Sequence, residues 1–154
     1  MSSSSSSEVS LAPAGVDDRF LRRFESSFVG GMEPVLEAMG VGRAELEQTM
    51  RETGEIRTVL VGEEDVGSVW LELRERTLHL HALVLDPGAR GSGIGGRVLA
   101  QLEQEFRDRA DELELGVQRG NEAARRLYEK TGFIEVESPH AEPGFKILRR
   151  RLGA

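Results

Sequence analysis

The sequence predicts an α/β (α+β) domain, a mixed sheet flanked by helices, with elements in the order α-α-β-β-β-α-β-α-β-β. Three observations carry this. Apolar residues recur at helical spacing from Asp17 to Thr53, and the period changes to two from Ile56 onward. The alternating runs are separated by turn residues. A glycine-rich segment, Arg90 to Gly96, lies between one of these strands and a long amphipathic helix.

Residues 1–15 are serine-rich and contain Pro13 and Gly15, a composition that predicts a disordered tail ahead of a single domain over 16–154. Phe20, Phe24, Ser27 and Phe28 mark the first helical face, with Asp17 or Asp18 as its cap. Gly30-Gly31 interrupts it. The second helical stretch, Glu33 to Met39, ends at Gly40, and Arg43 to Thr53 reads as a third, stopped by Gly54. Ile56 to Val61 and Val66 to Leu73 read as a hairpin about Gly62-Glu63-Glu64-Asp65. Thr77 to Leu85 is the third strand, ended by Asp86-Pro87-Gly88. Gly93 to Ala110 is a helix with an apolar stripe at Ile94, Val98, Leu102 and Phe106. Glu112 to Val117 is a strand, and Asn121 to Thr131 is a helix with Gly132 in the C-cap role. Phe133 to Glu137 and Phe145 to Leu152 complete the sheet.

The whole chain sets further bounds. It has 154 residues, enough for one domain to bury its own core. Hydrophobic residues make up 38% and charged residues 31%, as in soluble globular proteins. No apolar run approaches the roughly 20 residues that cross a bilayer, and MSSSSSSEVS lacks the segments of a secretory signal. The expectation is cytoplasmic residence without a membrane partner. There is no cysteine, which removes disulfides, thiolate zinc sites and a cysteine nucleophile. No other metal site is expected. The net charge of −7 argues against a nucleic-acid partner. The cluster Arg149-Arg150-Arg151 reads as solvated side chains on a terminal strand.

The glycine-rich segment is the strongest functional signal. Glycine lets backbone amides approach a bulky anion because no Cβ intervenes. The first turn of the following helix offers unpaired N–H groups and a partial positive charge. Arg90, Gly91, Ser92, Gly93, Ile94, Gly95 and Gly96 therefore form a candidate phosphate cradle. Arg90 supplies a charge-assisted contact. Gly91, Gly93 and Gly96 also fit a dinucleotide-binding G-x-G-x-x-G pattern. That reading needs an acidic residue ending the second strand, and Glu112 to Val117 ends without one. The chain after the loop is also too short for a second mononucleotide half.

The segment Arg90-Gly91-Ser92-Gly93-Ile94-Gly95 fits the pattern Q/R-x-x-G-x-G/A. The downstream stretch from Asn121 to Phe133 fits N-x-x-A-x-x-L-Y-x-x-x-G-F. With both motifs in this order, the chain resembles the GNAT superfamily of acetyl-CoA-dependent N-acetyltransferases. The resemblance is strong over residues 77–137 and rests on element order over 17–76. It implies a mixed, mostly antiparallel sheet, and acetyl-CoA (coenzyme A) as cofactor. It also implies that the third strand splays from its neighbour and that the pantetheine arm fills the gap. The backbone of Leu83, Val84 and Leu85 would then line the arm, with Leu83 and Leu85 bonding it. One of their N–H groups would polarise the thioester carbonyl.

Along Leu78 to Leu85, strict alternation puts His79, His81, Leu83 and Leu85 on one face and Leu78, Leu80, Ala82 and Val84 on the other. The run His79-Leu80-His81 resembles the two-histidine strand of the arylalkylamine N-acetyltransferases, where such histidines act as bases through water. Which of the two is the base stays open. Some relatives carry a glutamate base on the next strand, where this chain has Gly116. Asn121 and Tyr128 lie two helical turns apart on one face. The resemblance implies that Asn121 contacts the cofactor arm and that Tyr128, the chain's only tyrosine, protonates the leaving thiolate.

The expected reaction is attack of a neutral primary amine on the thioester. An alkylamine with pKa about 10.4 costs roughly 4.6 kcal/mol to deprotonate at pH 7, and an α-amine near 7.8 costs about 1 kcal/mol. A histidine base therefore suits an alkylamine more than a peptide N-terminus. The acceptor stays open between a small-molecule amine and a protein or peptide amine. Glu33, Glu37, Glu45 and Glu47 in the helical segment are candidate attractants for a cation. The resemblance allows a homodimer. The rival class is a binding module that holds acyl-CoA as a sensor without turnover, against which the retention of His79 and Tyr128 argues.

Overall fold

A computed structural model describes residues 8–139 and 141–152. Strand β1 (Val9–Ala14) precedes helices α1 (Asp18–Ser26), α2 (Met32–Met39) and α3 (Arg43–Glu52). Strands β2 (Glu55–Val61), β3 (Glu64–Arg74) and β4 (Thr77–Leu85) follow. A short 3-10 turn over Pro87–Ala89 leads to α4 (Ile94–Phe106), β5 (Glu112–Gln118), α5 (Glu122–Lys130), β6 (Ile134–Val136) and β7 (Phe145–Arg151). The sheet order is β1-β2-β3-β4-β5-β7-β6, and β4–β5 is its one parallel pair among the described residues. The mixed, mostly antiparallel sheet flanked by helices is the fold class expected from the sequence.

Two boundaries differ from that expectation. Residues 9–14, expected within a disordered tail, form an edge strand on β2, from Val9 opposite Val61 to Ala14 opposite Ile56. Pro13 lacks an N–H donor, and an edge strand tolerates that loss. Val9 and Leu11 pack onto the main core, which gives this segment apolar burial that its serine-rich approach conceals. Residues 1–7 lie outside the described residues. The helical segment breaks at the glycines expected from the sequence, where Gly31 (φ 90°) and Gly40 (φ 72°) adopt positive-φ backbone, and its three stretches form three helices where the expected element order has two.

The sheet separates two apolar clusters. On one face, Val98, Leu102 and Phe106 of α4 pack on Val69, Leu71, Leu78, Leu80, Leu113 and Leu148. On the other, Phe20 and Phe24 of α1, Met32 and Leu36 of α2 and Met50 of α3 cover Ile56 and Trp70. Asp17 caps α1 by accepting from the Phe20 N–H at 2.9 Å. Among the described residues, no helix is long and apolar enough to cross a membrane.

Arg23 fastens α1 to the sheet beside the glycine-rich loop. Its Nε and one terminal nitrogen donate to the two carboxylate oxygens of Asp86 at 2.8 Å each. Its other terminal nitrogen reaches the Gly67 carbonyl at 2.9 Å and Ser68 Oγ at 3.1 Å. Asp86 immediately follows β4, so this buried guanidinium ties the helical layer to the strand end that launches the loop. Arg23→Ala is expected to destabilise the fold by about 2–3 kcal/mol, because charged hydrogen bonds are lost and their partners stay partly buried. Denaturant titration measures this, and an unchanged midpoint would contradict the role.

Candidate active site

The site is built where two strands part. β4 and β5 pair in parallel from Thr77 opposite Glu112 to Leu80 opposite Leu115 and no further, although β4 runs on to Leu85 and β5 to Gln118. From His81 onward β4 therefore has no strand partner on its β5 side. A cavity of about 470 Å³ occupies this gap and continues beneath α1–α3. His79, His81, Leu83, Val84, Asn121 and Tyr128 all line it.

A β-bulge shapes the β4 wall. Opposite β3, Trp70 pairs with Ala82 and Leu71 pairs with Leu80, so His81 is the extra residue. The bulge breaks the alternation expected from the sequence. Before it, Leu78 and Leu80 face the α4 cluster; after it, Leu83 and Leu85 do, and Ala82 joins the α1–α3 cluster. Leu83 and Leu85 are thus not on the histidine face. The two histidines stay together, with ring centroids 4.6 Å apart.

Each histidine has its own carboxylate. His79 Nδ1 lies 2.6 Å from Glu114 Oε1, and Arg149 Nε donates to Glu114 Oε2 at 2.7 Å. His81 Nε2 lies 2.9 Å from Glu72 Oε1, and its ring stacks on Trp70 at 4.2 Å. The hydrogen bond from His79, then that from Arg149, holds the Glu114 carboxyl down at about 2. Burial pushes the Glu72 carboxyl up, but hydrogen bonds from His81 and Arg74 outweigh it and leave the group lowered. Burial pushes the His81 imidazole down to about 4 despite Glu72. Burial pushes the Tyr128 phenol up to about 12.

These shifts set a pH dependence of stability. His81 falls from 6.5 to about 4 on folding, and Glu114 from 4.5 to about 2. In both cases the unfolded chain binds more protons, so stability is lost as pH falls. The window opens below about 6.5 with His81 and extends toward 2 with Glu114. Calorimetry should show Tm falling steadily as pH drops from 7 to 4. A constant Tm over that range would contradict the assignment.

The glycine-rich loop follows the Pro87–Ala89 turn at the end of β4, outside the cavity wall. Gly91 (φ 79°) and Gly93 (φ 81°) are left-handed, and Gly93 forms the N-cap of α4. Ser92 Oγ donates to the Ala89 carbonyl at 3.1 Å. Ile94 is buried and anchors the first turn of α4. Arg90 does not point to an open cradle alone: its Nε donates to the Leu85 carbonyl at 3.0 Å. A Cβ at Gly95 would sit 3.9 Å from Leu85 Cδ1, and one at Gly96 would meet no protein atom within 4 Å. On α5, the Asn121 carboxamide oxygen accepts from the Ala124 N–H at 3.2 Å, so this side chain caps the helix as well as lining the cavity. Tyr128 packs edge-on against Phe133 at 5.6 Å.

Sequence reasoning missed Glu114, Glu72, Trp70 and Arg149. Glu114 is 6% exposed, and Arg149 is its partner rather than a solvated side chain. Arg150 likewise donates to the Thr131 carbonyl and lies 5.0 Å over the Phe133 ring. Of the candidate cation attractants, Glu33, Glu37, Glu45 and Glu47 do not line the cavity; its helical wall includes Phe24, Phe28, Val35, Met39 and Leu46. Alternation with Leu113 and Leu115 puts Glu114 only on the face opposite those leucines, so no pattern in the sequence marked it as buried.

The profile of the acetyltransferase (GNAT) family matches residues 19–133, which includes the parted strands, the loop and α5. The chain belongs to the GNAT acetyltransferase family. A mycothiol acetyltransferase from Beutenbergia cavernae is 37% identical over 81 residues, covering 51% of this chain and 27% of that protein. This GNAT chain therefore spans little more than a quarter of that relative's length. An acetyltransferase from Thermus thermophilus superposes with a TM-score of 0.68 at 18% identity, covering 94% of this chain and 97% of the other. The PaiA N-acetyltransferase from Thermoplasma acidophilum, solved in complex with coenzyme A, gives 0.68 at 16% identity over 94% and 99%. At these identities the two structures establish the fold.

Proposed function

We propose that this GNAT protein moves an acetyl group from acetyl-CoA to a primary amine by direct attack. The observation that carries the reading is the parting of β4 and β5 beyond Leu80 and Leu115, with two histidines and one tyrosine on the same cavity. The unpaired edge of β4 offers backbone groups to the pantetheine arm, and the Gly91–Gly96 loop with the N-terminus of α4 suits the pyrophosphate. The coenzyme A found with the Thermoplasma enzyme supports this cofactor.

In the proposed reaction the amine nitrogen bonds to the thioester carbon while a backbone N–H of Leu83 or Leu85 stabilises the oxyanion. The C–S bond then breaks. Tyr128, held protonated, gives its proton to the departing thiolate sulfur, and a histidine takes the proton lost by the amine. Protonating His81, pushed down to about 4, costs about 4 kcal/mol at pH 7, so His79 is the acceptor. The acceptor's body enters along the apolar wall of Phe24, Phe28 and Met39.

Gly96→Ala separates cofactor binding from folding. A methyl group there meets no protein atom and needs no unusual backbone. The variant should keep its Tm and bind acetyl-CoA about tenfold more weakly, a cost of roughly 1.4 kcal/mol, by calorimetric titration. Unchanged affinity would remove the loop from the cofactor site. Free-thiol release from acetyl-CoA across an amine panel tests turnover. Tight binding without amine-dependent release would favour the sensor class instead.

A further inference from the structure

We infer that Glu114, itself held by Arg149, is the positioning residue for His79, so that three adjacent strands build one proton-accepting unit. This rests on the acetyl-transfer reading above and adds to it a residue that neither sequence motif contains. The strand register produces the arrangement. His79 is opposite Glu114 in the parallel β4–β5 pair, and Glu114 is opposite Arg149 in the antiparallel β5–β7 pair. The three side chains therefore lie in one row across the sheet. The two oxygens of Glu114 are divided, with Oε1 on His79 at 2.6 Å and Oε2 on Arg149 at 2.7 Å.

Burying a carboxylate, here to 6% exposure, costs several kcal/mol unless its oxygens are satisfied. Arg149 keeps the carboxylate ionised, and an ionised carboxylate only accepts hydrogen bonds. His79 must then carry its proton on Nδ1, which leaves the lone pair on Nε2. The neighbouring histidine has the opposite assignment. His81 donates from Nε2 to Glu72 and keeps its lone pair on Nδ1, with its ring pressed on Trp70. Two histidines that look equivalent in sequence thus present different nitrogens.

The charged and titratable groups around His79 are Glu72 and Arg74 of β3, His81 of β4, Glu114 of β5 and Arg149 of β7, with Tyr128 of α5 and Glu142 before β7 on the same cavity. Of these, Glu114 is the one that bonds the imidazole. When an amine N–H bond breaks and the proton bonds to Nε2, Glu114 stabilises the imidazolium without taking the proton. No electrons are exchanged with any further reactant.

Imidazole ¹⁵N spectra of the wild-type protein at neutral pH test the tautomer. The expected result is Nδ1–H for His79 and Nε2–H for His81; Nε2–H on His79 overturns the inference. Glu114→Gln should lower kcat/KM by about 100-fold and move its acidic limb to lower pH, with acetyl-CoA affinity unchanged. Glu114→Asp should recover part of the loss. Full kcat/KM with an unmoved limb in Glu114→Gln, alongside a defective His79→Ala, overturns the positioning role and leaves the acetyl-transfer reading intact. Full activity in His79→Ala instead removes the base itself. If Glu114→Gln fails to fold, the wild-type tautomer decides.

Discussion

Replacing His79 with alanine is expected to lower kcat/KM by about 10²–10⁴-fold and to abolish the acidic limb of its pH profile. The amine must lose a proton as it becomes an amide, and His79 is the imidazole with its Nε2 lone pair directed by a paired carboxylate. His81→Ala should act differently. That half-buried side chain stacks on Trp70, and desolvation pushes it down to about 4. Its loss opens space beside His79 and weakens the aromatic wall, so kcat/KM falls by about tenfold with the limb retained. The pH–rate profiles of both variants, with acetyl-CoA affinity as the control for folding, decide the matter. An intact acidic limb in His79→Ala contradicts the assignment.

Tyr128→Phe should lower kcat by about 10²-fold with little change in acetyl-CoA affinity. The ring would keep its edge contact with Phe133, so the variant removes the proton donor and little packing. Burial pushes the phenol up to about 12, so it remains a donor throughout any practical assay range and adds no alkaline limb below about pH 11. Pre-steady-state measurement of the acetyl-transfer step checks this. Full kcat with chemistry rate-limiting would remove Tyr128 from the acid role.

The elements that depend on local pattern were legible in the sequence. Phe20 and Phe24 announce the buried face of α1, and Val98, Leu102 and Phe106 that of α4. Gly91 and Gly93 mark a loop that needs left-handed backbone. What escaped depends on pairing between distant segments. Residues 9–14 become a strand only because β2 offers an edge, and neither Pro13 nor the serine run before them gives a period to read. The bulge at His81 inserts one residue opposite β3, so the face of Leu83 cannot be obtained by counting from His79. Glu114 reads as an outward acid until β4 and β7 are placed on either side of β5. Arg149 reads as one member of a basic cluster until Glu114 is placed under it. The motif residues were therefore visible, and the carboxylates that distinguish the two histidines were not.

In the proposed reaction these positions serve a single event, the passage of the acetyl group from sulfur to nitrogen in the gap between β4 and β5. Acetyl-CoA labelled in the acetyl group, mixed rapidly with the protein in the absence and presence of an amine panel, tests that event most directly. On that proposal the label stays on coenzyme A without amine, and with an acceptor each thiol released is matched by one acetylated amine. Label on the protein before amine is added, or label retained on coenzyme A with every amine, would contradict it.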